Sequence, residues 1–73
     1  MEKDGWTLID MHGRRAKIGE TYFTYLCGLE VELRGGKPPR RPGMLGRIYV
    51  EDREGEKIEY FPNVCGLMWV LID

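Results

Sequence analysis

The chain has 73 residues, 42% of them apolar and 32% charged, with a formal net charge of -1. That composition belongs to one small globular domain rather than a disordered segment, and no apolar run approaches the ~20 residues a membrane-spanning helix needs. A chain this short spares few side chains from packing, so its two Trp, four Tyr and two Phe weigh heavily in any core. The opening Met1-Glu2-Lys3-Asp4 lacks the apolar stretch of a signal peptide.

Trp6-Thr7-Leu8-Ile9-Asp10 reads as a first strand, broken by a turn through Met11-His12-Gly13-Arg14. Ala16-Lys17-Ile18 predicts a brief second strand, stopped at Gly19. Two patterns compete from Thr21 to Cys27. The β-branched and aromatic content favours a strand. Ile18, Tyr22, Tyr25, Leu26 and Leu29 recur at helical spacing, with Gly28 placed as a C-cap, so a short helix near residues 20–28 stands as the alternative. Leu29-Glu30-Val31-Glu32-Leu33 alternates cleanly, with the three apolar residues inward and the two glutamates outward, and Gly35-Gly36 is expected to end it. Pro38, Pro39 and Pro42 exclude a helix and a central strand, so residues 36–44 read as an exposed loop stiffened by proline.

The next hairpin can be registered from its turn. Asp52-Arg53-Glu54-Gly55 has Asp at the first and Gly at the fourth position of a type I turn, with Gly55 free to adopt the left-handed conformation as a bulge in a three-residue loop. That register sets Val50 opposite Ile58 and Ile48 opposite Tyr60, all on one apolar face. Phe61-Pro62-Asn63-Val64 predicts one tight helical turn, and Leu67 to Ile72 a final apolar strand. The fold class is therefore mainly β: a small SH3-like, partly open barrel of about five short strands, closed by the last one.

Chemistry of the catalytic kind is thinly represented. His12 is the only imidazole, in a turn two residues from Asp10, and no nucleophile motif, paired-carboxylate motif or phosphate-binding glycine loop appears. Cys27 and Cys65 lie 38 positions apart, without metal-type spacing, and read as two reduced, packed thiols. The chain is expected to be neither an enzyme nor the holder of a cofactor or metal. Fold class alone assigns no function.

Charge is unevenly spread. Arg34, Lys37, Arg40, Arg41 and Arg47 fall between residues 34 and 47 with no acidic residue among them, while residues 51–59 carry five carboxylates against Arg53 and Lys57. Arg40 and Arg41 lie between Pro39 and Pro42, which lowers the entropy lost when they engage an acidic surface. Arg14 and Arg15 extend the patch if the first turn lies nearby, and Met44 or Leu45 offers an apolar contact. The candidate partner-binding set is thus Arg14, Arg15, Arg34, Lys37, Arg40, Arg41, Met44, Leu45 and Arg47. Tyr22, Phe23, Tyr25 and Tyr49 are read as core or strand-face residues rather than base-stacking platforms. The acidic balance, with pI near 5.8, makes any nucleic-acid contact weak or indirect.

Three stretches resemble a pattern of small proteins from tailed phages and prophages: the Pro-Pro-basic-x-Pro-Gly loop at residues 38–43, the Gly-Arg-aliphatic-Tyr-Val strand at 46–50, and the Tyr-Phe-Pro-x-Val-x-Gly-Leu-x-Trp corner at 60–69. The resemblance covers about half the chain. In length and character the chain is also similar to small regulators of lytic phages that bind host RNA polymerase. It implies a monomer in the host cytoplasm that inhibits transcription initiation and modulates termination. An SH3-like nucleic-acid-binding module and a phage structural or morphogenesis protein are the alternatives.

Overall fold

The alternating pattern builds two antiparallel sheets. In the computed structural model, which describes residues 1–72, the first contains β1 (Glu2–Lys3), β2 (Trp6–Asp10) and β7 (Leu67–Leu71), in the order β1-β2-β7. The second contains β3 (Thr21–Phe23), β4 (Glu30–Lys37), β5 (Arg47–Asp52) and β6 (Lys57–Tyr60), in the order β3-β4-β5-β6. The protein is mainly β, as expected, with more strands than the roughly five its pattern suggested. One of the extra strands, β1, is a pair of charged residues with no apolar alternation to announce it.

The β5–β6 hairpin has the register its turn predicted: Ile48 opposite Tyr60 and Val50 opposite Ile58. Gly55 sits at φ +85°, its N–H donates to the Asp52 carbonyl at 3.1 Å, and Asp52 N–H donates to the Glu56 carbonyl at 2.9 Å. The Asp52 carboxylate locks the loop further by accepting from the N–H groups of Glu54 and Glu56. Pro62–Cys65 forms the single 3-10 turn expected at the corner.

Three local expectations are corrected. Ala16–Ile18 is not a strand. Ala16 N–H bonds to the Leu8 carbonyl and Gly19 N–H to the Leu33 carbonyl, so this segment crosses from one sheet to the other instead of pairing along either. The 20–28 region is strand only over Thr21–Phe23. What looked helical is one turn, closed by Gly28 N–H on the Thr24 carbonyl at 2.8 Å. Finally, Gly35-Gly36 does not end β4. The strand passes through both to Lys37, with a register shift between Leu33 and Gly35.

The reason for those glycines lies in the core. Leu8, Val31, Leu33, Ile48, Val50, Leu67 and Trp69 are buried in one cluster drawn from both sheets, each large apolar side chain contributing roughly 1.5–3 kcal/mol when fully buried. Trp69 of β7 reaches across to the second sheet. A Cβ at Gly36 would lie 2.7 Å from its ring, and one at Gly46 2.8 Å. Its indole N–H donates to the Arg47 carbonyl at 3.1 Å. The glycines make room for the ring that joins the sheets.

Two substitutions separate these effects. Gly36→Ala places a methyl 2.7 Å from the Trp69 ring and is expected to cost about 1–3 kcal/mol. Gly55→Val meets no neighbour but resists φ > 0, and is expected to cost about 1 kcal/mol or more. Urea unfolding measures both; a wild-type midpoint for Gly36→Ala would mean that Trp69 does not pack as described.

Candidate docking groove and basic loop

The loop between β4 and β5, residues 38–46, is fixed at its base and free at its tip. Pro39 is buried. Gly46, at φ +71°, is held against Trp69 and the Lys37 carbonyl, where no side chain fits. Between these anchors Arg41-Pro42-Gly43-Met44 makes a turn, with Pro second, Gly43 third at φ +93°, and Met44 N–H directed at the Arg41 carbonyl at 3.4 Å. Proline followed by a positive-φ glycine is the signature of a type II turn. The expected exposed loop is therefore present, except that residues 36–37 belong to β4 and Pro39 is covered.

The loop walls an apolar groove of about 660 Å³. Met44 and Leu45 of the loop, all of β7, Trp6, Met11 and Tyr25 line it. Met11, Met44 and Met68 are each more than half exposed here. Unbranched, polarizable thioethers suit a surface that must adapt to a partner. Met44 and Leu45 were legible in the sequence as apolar contacts. Met11, Tyr25, Met68 and Leu71 were not, because their adjacency depends on β2–β7 pairing and on the Tyr25 N–H bond to the Val64 carbonyl at 2.9 Å.

Electrostatics divide the predicted basic set. Arg14 pairs with Asp10, Arg15 with Glu2, Arg34 with Glu32 and Glu51, Arg47 with Glu59, and Arg53 with Glu30. Arg47 also lies 3.9 Å over the Phe61 ring. Exposed pairs of this kind contribute about 0–1 kcal/mol each to stability, yet they occupy the cations that make them. Arg40 and Arg41 are the two arginines with no ion pair among the described residues, and Lys37 has none either. Lys37, Arg40, Met44, Leu45 and Arg47 share a second cleft on the loop. Arg14, Arg15, Arg34 and Arg41 line neither this cleft nor the groove.

Other candidate groups have local roles. The Asp10 carboxylate accepts from the backbone N–H groups of His12 and Arg14, so it caps a turn and does not orient the imidazole. Burial raises the Asp10 pKa, but these hydrogen bonds and the Arg14 guanidinium outweigh it and the net shift is downward. Phe23, Tyr25 and Tyr49 are surface residues, and Tyr22 is half-buried with its hydroxyl on Glu20. Among the described residues, no three His, Cys, Asp or Glu side chains gather to hold a metal ion, and no helix is long and apolar enough to cross a membrane.

Both cysteines are free, but only Cys65 is packed as expected; Cys27 is exposed in the 24–28 turn. The Thr24 hydroxyl, 3.3 Å from its sulfur, and the Leu29 N–H hold the Cys27 thiol below its usual range, whereas burial pushes the Cys65 thiol up. A thiol-disulfide reagent at pH 8 should therefore modify Cys27 quickly in the native protein and Cys65 only on unfolding. Two fast thiols, or none, would contradict this arrangement. The chain matches no protein family, no curated protein and no solved structure.

Proposed function

We propose that this protein is a non-enzymatic docking module, a phage-encoded regulator whose basic loop and apolar groove bind host RNA polymerase. In this reading it acts as a monomer in the host cytoplasm, inhibits initiation and modulates termination. The two sheets, tied by Trp69, are read as halves of a small SH3-like, partly open barrel. The observation that carries the docking function is the pairing of an apolar groove with Arg40 and Arg41 on the loop that walls it, two cations that no described carboxylate occupies. A partner surface with apolar anchors and an acidic rim complements that arrangement. The phage origin rests on the resemblance of residues 38–43, 46–50 and 60–69 to small phage proteins, and the choice of polymerase on the similarity in length and character to small phage regulators that bind it.

A nucleic-acid reading has one specific support. Lys3, Lys37 and Arg40 converge on a cleft lined by Trp6 and Tyr49, the cation-and-aromatic combination that single strands use. Against it stand the net charge of -1 and the ion pairs that occupy most of the arginines.

The test is co-purification of the tagged protein with host polymerase and its isolated subunits, with transcription from a host promoter. Arg40→Glu with Arg41→Glu should slow association roughly tenfold without altering the fold, since exposed rim charges steer encounter. Met44→Asp should instead speed dissociation by about tenfold or more, as expected of a desolvated anchor. Absence of polymerase binding by the folded protein would end the polymerase reading. Tight binding to protein-free nucleic acid, falling with a log–log salt slope of roughly -0.9 per phosphate contact on duplex DNA, would establish the second.

A further inference from the structure

We propose that the open edge of β7 receives an extended segment of the partner by strand addition, an inference that rests on the docking groove described above. The occupant is a proline-free, apolar stretch of polypeptide in β conformation, flanked by acidic residues.

Four strand edges are open in the two sheets: β1, β7, β3 and β6. Three are protected against pairing with another chain. β1 is two residues long and both are charged, β3 has only three residues, and β6 carries Lys57 and Glu59. Short length and edge charges are how proteins keep such edges from pairing. β7 has neither defence. Leu67-Met68-Trp69-Val70-Leu71 is five residues long with no charge, proline or bulge.

The backbone of β7 is aimed correctly. Leu8 N–H donates to the Met1 carbonyl, the Leu8 carbonyl accepts from Ala16, and Asp10 N–H donates to the Arg14 carbonyl. These residues of β2 therefore turn their backbone groups away from β7. Trp69 stands opposite Leu8 and Leu67 opposite Asp10. Antiparallel ladders alternate hydrogen-bonded and non-hydrogen-bonded pairs, so Leu67, Trp69 and Leu71 point their N–H and C=O groups to the open side. None of these three has a backbone partner there among the described residues. Ile72 N–H, two residues from Val70, turns inward to the Gly5 carbonyl at 2.9 Å, which fits the same alternation.

The groove follows this edge. All five residues of β7 line it, although successive side chains point to opposite faces of the sheet. A channel running along the edge meets all of them. Its length is about 17 Å at ~3.3 Å per residue, enough for five residues of a guest strand. Met44 and Leu45 would cover one face of the guest, and Arg40 and Arg41, on the same loop and without an ion pair among the described residues, select acidic residues at its flank.

The experiment titrates the isotope-labelled full chain with a capped heptapeptide of alternating valine and threonine preceded by two aspartates, and follows amide hydrogen exchange. In the free protein the amides of Leu67, Trp69 and Leu71 should exchange fast and those of Met68 and Val70 slowly. Peptide should slow the first three. Leu71→Pro removes an outward N–H without breaking a ladder bond, and should weaken the peptide roughly fivefold relative to Leu71→Ala, the loss of one backbone hydrogen bond. Absence of peptide binding, or binding that shifts Met44 and Leu45 without protecting the three amides, overturns strand addition. Protection that appears with protein concentration alone would assign the edge to a second copy and likewise overturn it. Polymerase association that is weakened by Arg40→Glu with Arg41→Glu but indifferent to Leu71→Pro would retain the docking function and reject only this mode of binding.

Discussion

The position of one indole ring holds the structure together. Trp69 belongs to the three-stranded sheet, but its ring packs on Gly36 and Gly46 of the other sheet and its N–H is spent on the Arg47 carbonyl. A buried indole N–H needs a partner, and an unmade bond there would cost about 1–3 kcal/mol. The ring therefore fixes more than packing. It sets the distance between the sheets and pins both ends of the proline-rich loop, which departs after Lys37 and returns at Gly46.

From that constraint the groove follows. At the base of the loop Trp69 occupies the space beside Gly46, and beyond the Pro42-Gly43 turn Met44 and Leu45 share a groove with β7. β7 gains no second neighbour from the other sheet: it stays an edge strand beside β2, and the corner at Pro62–Cys65 carries the chain from β6 directly into its layer. An apolar channel with an unpaired strand edge is what remains between them. Exposed apolar surface of this kind on a small protein is a mark of an interaction site.

The charges support the same division of labour. Over the sheets, arginines are matched to carboxylates across strands or along turns: Arg34 on β4 to Glu51 on β5, Arg47 on β5 to Glu59 on β6. These pairs settle the surface of the scaffold. On the loop, Arg40 and Arg41 extend beyond the reach of any described carboxylate. A cation left unneutralised by its own chain is available to a partner's field, and its effect is greatest on encounter rate and orientation.

The sequence by itself determined the elements whose cause is local. Asp52 and Gly55 fix a turn, the turn fixes a register, and the register puts Ile48, Val50, Ile58 and Tyr60 on one face without reference to anything distant. Alternation marked Val31 and Leu33 as core, and proline marked the exposed loop and the one-turn corner. Tertiary structure decided what depended on long-range neighbours. Gly35-Gly36 looked like a stop because glycine weakens a strand, yet the ladder with β5 continues through it and the missing Cβ admits Trp69. Ala16 looked like strand because it is apolar, but its hydrogen bond to Leu8 commits the segment to a crossing between sheets. Arg14, Arg15, Arg34 and Arg47 looked like members of one patch because charge in a sequence carries no information about which carboxylate lies across the strand. Met11, Tyr25, Met68 and Leu71 share a groove only after β2 has paired with β7, residues some 60 positions apart. Local chemistry sets turns and faces; which faces meet, and which edge is left open, is set by the packing of the whole chain.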